Sequence, residues 1–383
     1  MDGQTSTACV IWSDFEWEYP SVLQPLARHL LAHGNQVIYV GPCRIDHFSL
    51  RRYLPPTRYY RQVDSVVRDR DGLTTIEPTL LRGRTQAVVR RLDTAAVKRR
   101  MLAHQGPAPD QRTVHFVTSP GWDTVPSVFV GDTVVQYVLD IELHGDGEQL
   151  TRDADEVWTV SPLLRSEKQR LRPGPVHLVP CFIDDSALDD PLPPASSAGP
   201  RPTVGYTGRV SDTRIDLELL DTVVRSRPDL SFVVRGFIDD DVAEAAVQRL
   251  DELDHFAYRG PVALGDVVGG MSDYDVTWIP YRDTPFNQRC NPSKMPQNLA
   301  AGMLTVVPDL AWAPLYDGVS VSFTTGDPDA ASAAIDRALV VRADPQTSDR
   351  CRARAAELTT THVLTPLFQR LGLARTPHSS PPE

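Results

Sequence analysis

One stretch divides this chain and limits what either side of it can become. From Asp184 to Pro202 the sequence reads DDSALDDPLPPASSAGPRP, rich in Pro, Ser, Ala and Gly and poor in bulky apolar residues, which is linker composition. On its far side, short apolar runs alternate with stretches whose apolar residues recur every three or four positions. Strands are expected at Thr203 to Thr207, Ser231 to Arg235, His255 to Tyr258, Asp275 to Pro280 and Thr305 to Val307. Between them helices are expected around Ile215 to Arg225, where Ile215, Leu219, Leu220, Val223 and Val224 share a face and Pro228 stops the run, from about Val242, and from Pro292. The near side repeats the pattern, with strands at Ala8 to Trp12, Gln36 to Val40, Thr113 to Thr118, Thr133 to Leu139 and Val157 to Val160, and a helix from Ser21 to His33 stopped by Gly34. Parallel strands need a crossover between them, so this alternation specifies two α/β domains with doubly wound parallel sheets. Such domains would leave a cleft faced by both sets of strand C-termini.

Composition narrows the function. Hydrophobic residues make up 41% of the chain and no apolar run approaches a membrane span, so a soluble protein is expected. MDGQTST has no basic or long apolar segment resembling a signal peptide. Cysteines 9, 43, 181, 290 and 351 lie far apart with no metal-like spacing, and read as reduced cytoplasmic thiols. The net charge is −11, yet residues 44 to 112 hold 15 Lys/Arg against 7 Asp/Glu. Within that sector residues 84–102 fit a basic amphipathic helix, with Val88, Leu92, Ala95 and Leu102 near one side and Arg90, Arg91, Lys98 and Arg99 elsewhere. A solvated surface helix is one reading of it; a surface for an anionic lipid or phosphorylated acceptor, and so a peripheral membrane contact, is the other. Nucleic acid is not expected as a partner, because the whole chain is acidic and no aromatic-basic interleaving occurs. The chain carries no P-loop, no G-x-S-x-G elbow and no H-E-x-x-H. Asp239-Asp-Asp241 opens a helix, where carboxylates cap and complement the dipole, so it is read as a cap and no metal site is expected.

The most chemically suggestive segment runs from Asp275 to Gly302. DVTWIPY is followed by an irregular loop and then by NPSKMPQNLAAG. Asn291 is positioned to N-cap a helix that Pro292 opens, with Ser293 and Lys294 in the first turn and Gly302 at the C-terminal cap. Free N–H groups, a hydroxyl and an ammonium at a helix start form an anion site. A lysine there opposes the helix dipole, and that unfavourable placement argues for a functional role.

The strand ending in Pro-Tyr, then Asn-Pro-x-Lys, then x-Leu-Ala-Ala-Gly and a valine-rich strand, resembles the donor-binding signature of GT-B glycosyltransferases. It is most similar to the bacterial family-4-like enzymes of polysaccharide and natural-product pathways. Asp153-Ala-Asp-Glu-Val-Trp-Thr-Val-Ser-Pro162, Val204-Gly-Tyr-Thr-Gly-Arg209, Asp216-Leu-Glu-Leu-Leu220 and Arg227-Pro-Asp-Leu-Ser-Phe-Val-Val234 extend the resemblance over about residues 150 to 340. It implies a cytoplasmic enzyme that moves a sugar from a nucleotide diphosphate donor to a natural-product or cell-envelope glycan acceptor, small or lipid-linked, with retention and without a bound metal or other cofactor. It further implies an acceptor domain over residues 1–185, a linker over 186–202, a donor domain over 203–343, a helical segment over 344–372 that crosses back to the first domain, and a disordered tail over 373–383. Arg209 and Lys294 are the expected cations for the diphosphate, with Asn291 and Ser293 beside them. Gln297 stands where the family has a ribose-binding glutamate, Pro296 where it has tyrosine, and Arg289 where many members have another glutamate. Asn287 and Gln288 would meet sugar hydroxyls. Ser13 and Asp14, after the first strand, and Asp140 and His144, after the Thr133 strand, would be the first domain's contribution. Two other readings stay open: a nucleotide-sugar 2-epimerase-like enzyme on the same fold, and a nucleotide-binding or scaffolding homologue without catalysis.

Overall fold

A computed structural model describes residues 6–15, 17, 21–41, 66–70, 72–78, 86–103, 107–108, 111–140, 146–189, 201–262 and 266–374. The chain divides into two compact units. One comprises Met1–Val160, Leu164–Val179 and Leu364–Glu383, and the other Ser161–Leu163 and Pro180–Val363.

The first unit holds strands β1 (Ala8–Trp12), β2 (Gln36–Val40), β3 (Val66–Arg70), β4 (Leu73–Glu77), β5 (Thr113–Val117), β6 (Thr133–Val138), β7 (Glu156–Thr159) and β8 (Val176–Leu178). They form one sheet in the order β3-β4-β2-β1-β5-β6-β7-β8. All neighbours are parallel except β3 and β4, a hairpin turned at Gly72. The continuous apolar run of β1 follows from its place: Ala8 pairs with Gln36 on one side and Thr113 on the other, and every residue of the strand is buried. The same unit takes in the end of the described chain. Phe368, on the helix Thr360–Arg370, is fully buried, with its ring 5.3 Å from that of His29, and the Asn35 amide donates to the carbonyl of Leu373 at 3.1 Å.

The second unit holds β9 (Thr203–Thr207), β10 (Ser231–Arg235), β11 (Phe256–Tyr258), β12 (Val276–Trp278), β13 (Thr305–Pro308) and β14 (Ser320–Phe323) in a wholly parallel sheet ordered β11-β10-β9-β12-β13-β14. Side chains alternate between two covered faces. Val204, Tyr206, Phe232 and Val234 join the larger apolar cluster, whereas Val233 packs on the other side with Met271, Tyr274 and Met303. The crossover helices start where caps allow. Asp216 accepts from the Leu219 amide ahead of Leu217–Ser226, and Asp240 accepts from the Ala243 amide ahead of Asp241–Asp251, the role read for the aspartate triplet. In both sheets the strand order turns back beside the first strand, between β1 and β5 and between β9 and β12, and a parallel sheet offers its natural ligand site at the C-terminal edge of such a switch.

Several expectations meet a different outcome. The stretch between Tyr281 and Asn291, expected to be irregular, contains the short helix Pro285–Arg289, capped by Thr284. Of the expected linker, Asp185–Leu188 form a single 3-10 turn, and residues 190–200 lie outside the described residues. The expected tail begins at Leu373, which is buried; residues 375–383 lie outside the description. Much of the basic sector, including residues 42–65 and 79–85, also lies outside it. No helix among the described residues is long and apolar enough to cross a membrane.

The basic helix forms, as Ala87–Ala103, but its inward face is not the expected one. Val88, Leu92 and Leu102 are exposed, and the interior receives Arg90, Asp93, Thr94, Val97 and Met101. The reason is an ion pair. Arg90 donates through Nε and Nη2 to the two carboxylate oxygens of Asp123 at 2.8 and 2.6 Å, both side chains being 6% exposed. Thr94 shares a 2.8 Å hydrogen bond with Thr124, and Lys98 donates to the Val128 carbonyl at 2.8 Å. Polar complementarity, not apolar periodicity, therefore orients this helix. Replacing Asp123 with alanine leaves a buried guanidinium without its carboxylate, and should destabilise the first unit by about 3–5 kcal/mol. Urea unfolding followed at the tryptophans measures this, Trp12 and Trp122 lying 5.0 Å apart in that unit; a loss under about 1 kcal/mol would mean that the pair behaves as a surface ion pair.

Candidate functional site

The β9/β12 switch point gathers the chemistry of the second unit. After β9 the chain runs through Gly208 to Ile215, and after β12 through Ile279 to Asp283. The two loops are joined: Ile215 bridges Tyr281, the Arg282 amide donates to the Arg214 carbonyl at 3.1 Å, and Asn287 Nδ2 donates to the carbonyls of both Arg214 and Arg282 at 2.9 Å. The loop after β10 joins them, because the Val210 amide donates to Phe237 and the Asp239 amide to Val210.

Lys294 reaches into this junction from the seven-residue helix Lys294–Ala300. Its Nζ donates to the Tyr281 hydroxyl at 2.9 Å and lies 5.3 and 5.4 Å from the ring centroids of Tyr206 and Tyr281. Burial works against charge on this amine, but the phenols of Tyr206 and Tyr281 outweigh it and hold the pKa above the usual lysine value, so Lys294 is an ammonium at neutral pH. Burial pushes the Tyr206 hydroxyl well above the usual range, and that hydroxyl donates to the Arg209 carbonyl at 2.7 Å. Arg214 is half-buried, stacked 4.4 Å over the Phe286 ring and near enough to act electrostatically on Lys294. The arrangement is two fixed cations, held by aromatic rings, at the C-terminal edge of a parallel sheet.

Space for it comes from missing side chains. Gly208 has φ +149°, and a Cβ there would lie 2.0 Å from Lys294 Cε. Gly236, at φ +142°, lets its backbone press on the Gly208 carbonyl, to which a Cβ would come within 1.8 Å.

The expected site residues fall into different roles. Lys294 is at the junction. Ser293 is exposed and half-buried Gln297 takes no side-chain hydrogen bond among the described residues. Arg209 is at the junction but forms a bidentate pair with Asp239, both bonds 2.8 Å. Asn291 does not cap the helix: Ser293 occupies that position without a side-chain bond, and Asn291 is buried, its oxygen accepting from the Tyr316 hydroxyl at 2.6 Å. Asn287 is fully buried and braces the two loops, while Gln288 links Asp283 and the Ala311 amide, so neither amide is presented to a sugar. Arg289 donates to the Pro285 carbonyl. In the first unit Ser13 is buried and its hydroxyl accepts from the Phe15 amide, which makes it a turn residue instead of a ligand group. Asp14 is exposed and accepts a hydrogen bond from Ser119, at the β1/β5 switch point. Asp140 is half-buried just beyond β6, and His144 lies outside the described residues. Arg214, Tyr206 and Tyr281 were not anticipated. Arg214 is five residues beyond Arg209 in a loop, a place where sequence offers no periodicity to mark it.

Replacing Gly208 with alanine should cost about 1–3 kcal/mol through its backbone conformation and add a clash with Lys294. In a Lys294→Ala background the clash disappears, so the double variant should lose less than the sum of the single variants. Additive losses in urea titrations would show that Lys294 does not lie across Gly208.

No family model matches the sequence, and no curated protein matches it. The structure is nevertheless similar to solved glycosyltransferases. Against sucrose-phosphate synthase from Thermosynechococcus elongatus the TM-score is 0.70 at 15% identity, covering 96% of this chain and 100% of that one. The catalytic domain of starch synthase IV from Arabidopsis thaliana, bound to ADP and acarbose, matches with a TM-score of 0.67 at 12% identity over 96% and 98% of the two chains. The lipopolysaccharide outer core galactosyltransferase WaaB, in its apo form, matches at 0.66 and 11% over 96% and 99%. At these identities what is shared is the fold, and the two parallel-sheet α/β units of this chain are those of GT-B glycosyltransferases.

Proposed function

We propose that this chain is a glycosyltransferase that takes a sugar from a nucleotide diphosphate donor bound at the C-terminal edge of the second sheet. The observation that carries the reading is the presence of two cations at the β9/β12 switch point, Lys294 against Gly208 and Arg214 over the Phe286 ring. When a glycosidic bond to a diphosphate breaks, negative charge grows on the leaving phosphate, and cations already held in place stabilise it without reorganising. Tyr206 and Tyr281 hold Lys294, and Phe286 holds Arg214, so both meet that condition. With two fixed cations the reading requires no resident metal or other cofactor. The ADP in starch synthase IV is a nucleotide of the kind we assign to this site. A retaining outcome, hexosyl transfer, a natural-product or glycan acceptor and a cytoplasmic, bacterial biosynthetic setting extend the reading on sequence resemblance; Ser293 and Gln297, whose side chains take no hydrogen bond among the described residues, are close to Lys294 in sequence and can meet the donor.

Replacing Lys294 or Arg214 with alanine should weaken nucleoside diphosphate binding by about 1.5–3 kcal/mol each, the value of a charge-assisted hydrogen bond, or roughly 10- to 150-fold in Kd. Calorimetry with uridine, guanosine, adenosine and thymidine diphosphates tests it. Unchanged affinity for every diphosphate that the parent binds would remove these residues from the site.

One observation favours a second reading, nucleotide binding without transfer. Arg209, expected to grip phosphate, is engaged by Asp239, and Gln297 offers an amide where a carboxylate would hold a ribose more strongly. Gln297→Glu separates the two. An active enzyme should bind donor equally or better with this change and keep turnover, measured as released nucleotide across a panel of sugar nucleotides. Tight binding with no turnover in either protein would establish the non-catalytic reading.

A further inference from the structure

We propose that the outward face of the helix Ala87–Ala103 docks on an anionic membrane surface. The helix is already satisfied on its inner side, where Arg90, Thr94, Val97 and Met101 are buried and Arg90 holds Asp123. On its outer side Val88, Leu92 and Leu102 are 61%, 55% and 62% exposed, and Val130, in the turn next to the Val128 carbonyl that Lys98 binds, is 83% exposed. Four of the five large apolar side chains exposed among the described residues of the first unit thus belong to this helix and the turn beside it, the fifth being Phe15. Val88, Leu92 and Leu102 stand at a spacing that keeps them in one stripe, and at 1.5 Å per residue the stripe extends over about 21 Å.

Cations stand in and beside the stripe: Arg99, seven residues after Leu92 and three before Leu102, lies within it, and Arg91 lies at its edge. Arg91 and Arg99 are exposed and have no ion-pair partner among the described residues, and Arg100 is half-exposed. The helix's only acid, Asp93, is buried at 3% exposure, so the helix itself presents no carboxylate on its outer face. A single helix whose outward face mixes apolar side chains with arginines matches a headgroup plane: the apolar tips enter the acyl boundary while the long guanidinium side chains reach the phosphates. The chain as a whole carries −11, so attraction to an anionic surface has to come from a local face of this kind and is short-ranged. The inference is independent of whether the chain transfers a sugar.

The test is cosedimentation of the full chain with vesicles of phosphatidylglycerol and phosphatidylcholine, and with phosphatidylcholine alone, at about 0.05 and about 0.5 M salt. Binding should favour the anionic vesicles by about tenfold or more and fall steeply with salt. The variants Val88→Ser/Leu92→Ser/Leu102→Ser and Arg91→Glu/Arg99→Glu should each lose about tenfold or more in vesicle affinity while keeping the parent's circular dichroism and nucleotide affinity, since all five side chains are exposed. Equal, negligible binding to both vesicle types would overturn the proposal, as would anionic binding that both variants retain. A lipid-free dimer in sedimentation equilibrium that the apolar triple variant abolishes would also overturn it, by assigning the stripe to a second copy of the chain.

Discussion

The site in the second unit depends on two places where a side chain is not allowed. Gly208 and Gly236 end adjacent strands with backbone angles that other residues rarely adopt, and the backbone of one lies against the carbonyl of the other. Close approach of the loops after β9 and β10 follows, and with it the path along which Lys294 reaches Tyr281. The ammonium is then held on several sides at once, by a hydroxyl and two rings, while Arg214 comes in from the loop that Asn287 ties to the loop after β12. Removing the glycines would change the positions of the charges as well as the stability of the turns.

The strands were the most legible part of the sequence. In a parallel sheet covered on both faces, an interior strand is a continuous apolar run, and Ala8–Trp12, Gln36–Val40, Thr203–Thr207 and Ser231–Arg235 have the limits expected of them. The edges were less legible because they lack that run. β3 and β4 form a hairpin in VVRDRDGLTTIE, and β14 is the half-exposed SVSF. The helix Ala87–Ala103 shows how apolar spacing misleads when a buried ion pair is present: Val88, Leu92 and Leu102 have the period of a core face, yet the interior contains Arg90 and Thr94.

In the site, Lys294 could be identified because a lysine in a first helical turn is electrostatically misplaced unless something there uses it. Asn287 and Asn291 illustrate the opposite difficulty. An amide can bind a sugar hydroxyl or tie down backbone and tyrosine groups with the same atoms, and here both asparagines are buried and do the latter. Tyr206 comes from β9, and Arg214 and Tyr281 from two loops whose meeting is a product of topology, with nothing in any of these segments alone to announce it. The fold itself was predictable from alternation, and the solved glycosyltransferases of similar structure share little sequence with this chain, so the folding pattern does not require most of the side-chain detail.

The first unit is completed by the last described part of the chain. Phe368 fills a fully buried position beside His29, and the Leu373 carbonyl takes the Asn35 amide, so two residues of the first crossover and its turn wait for partners that lie 338 positions further on in the case of Asn35. During synthesis from the N-terminus, all strands of the first sheet are available before the second unit exists, but the place of Phe368 stays open, and the Asn35 amide has only its local bond to the Leu30 carbonyl, until residues 364–374 have been made. The N-terminal half therefore has no fully native state of its own while it emerges. Its final packing waits for residues 364–374, so the integrity of the first unit reports whether synthesis has passed them.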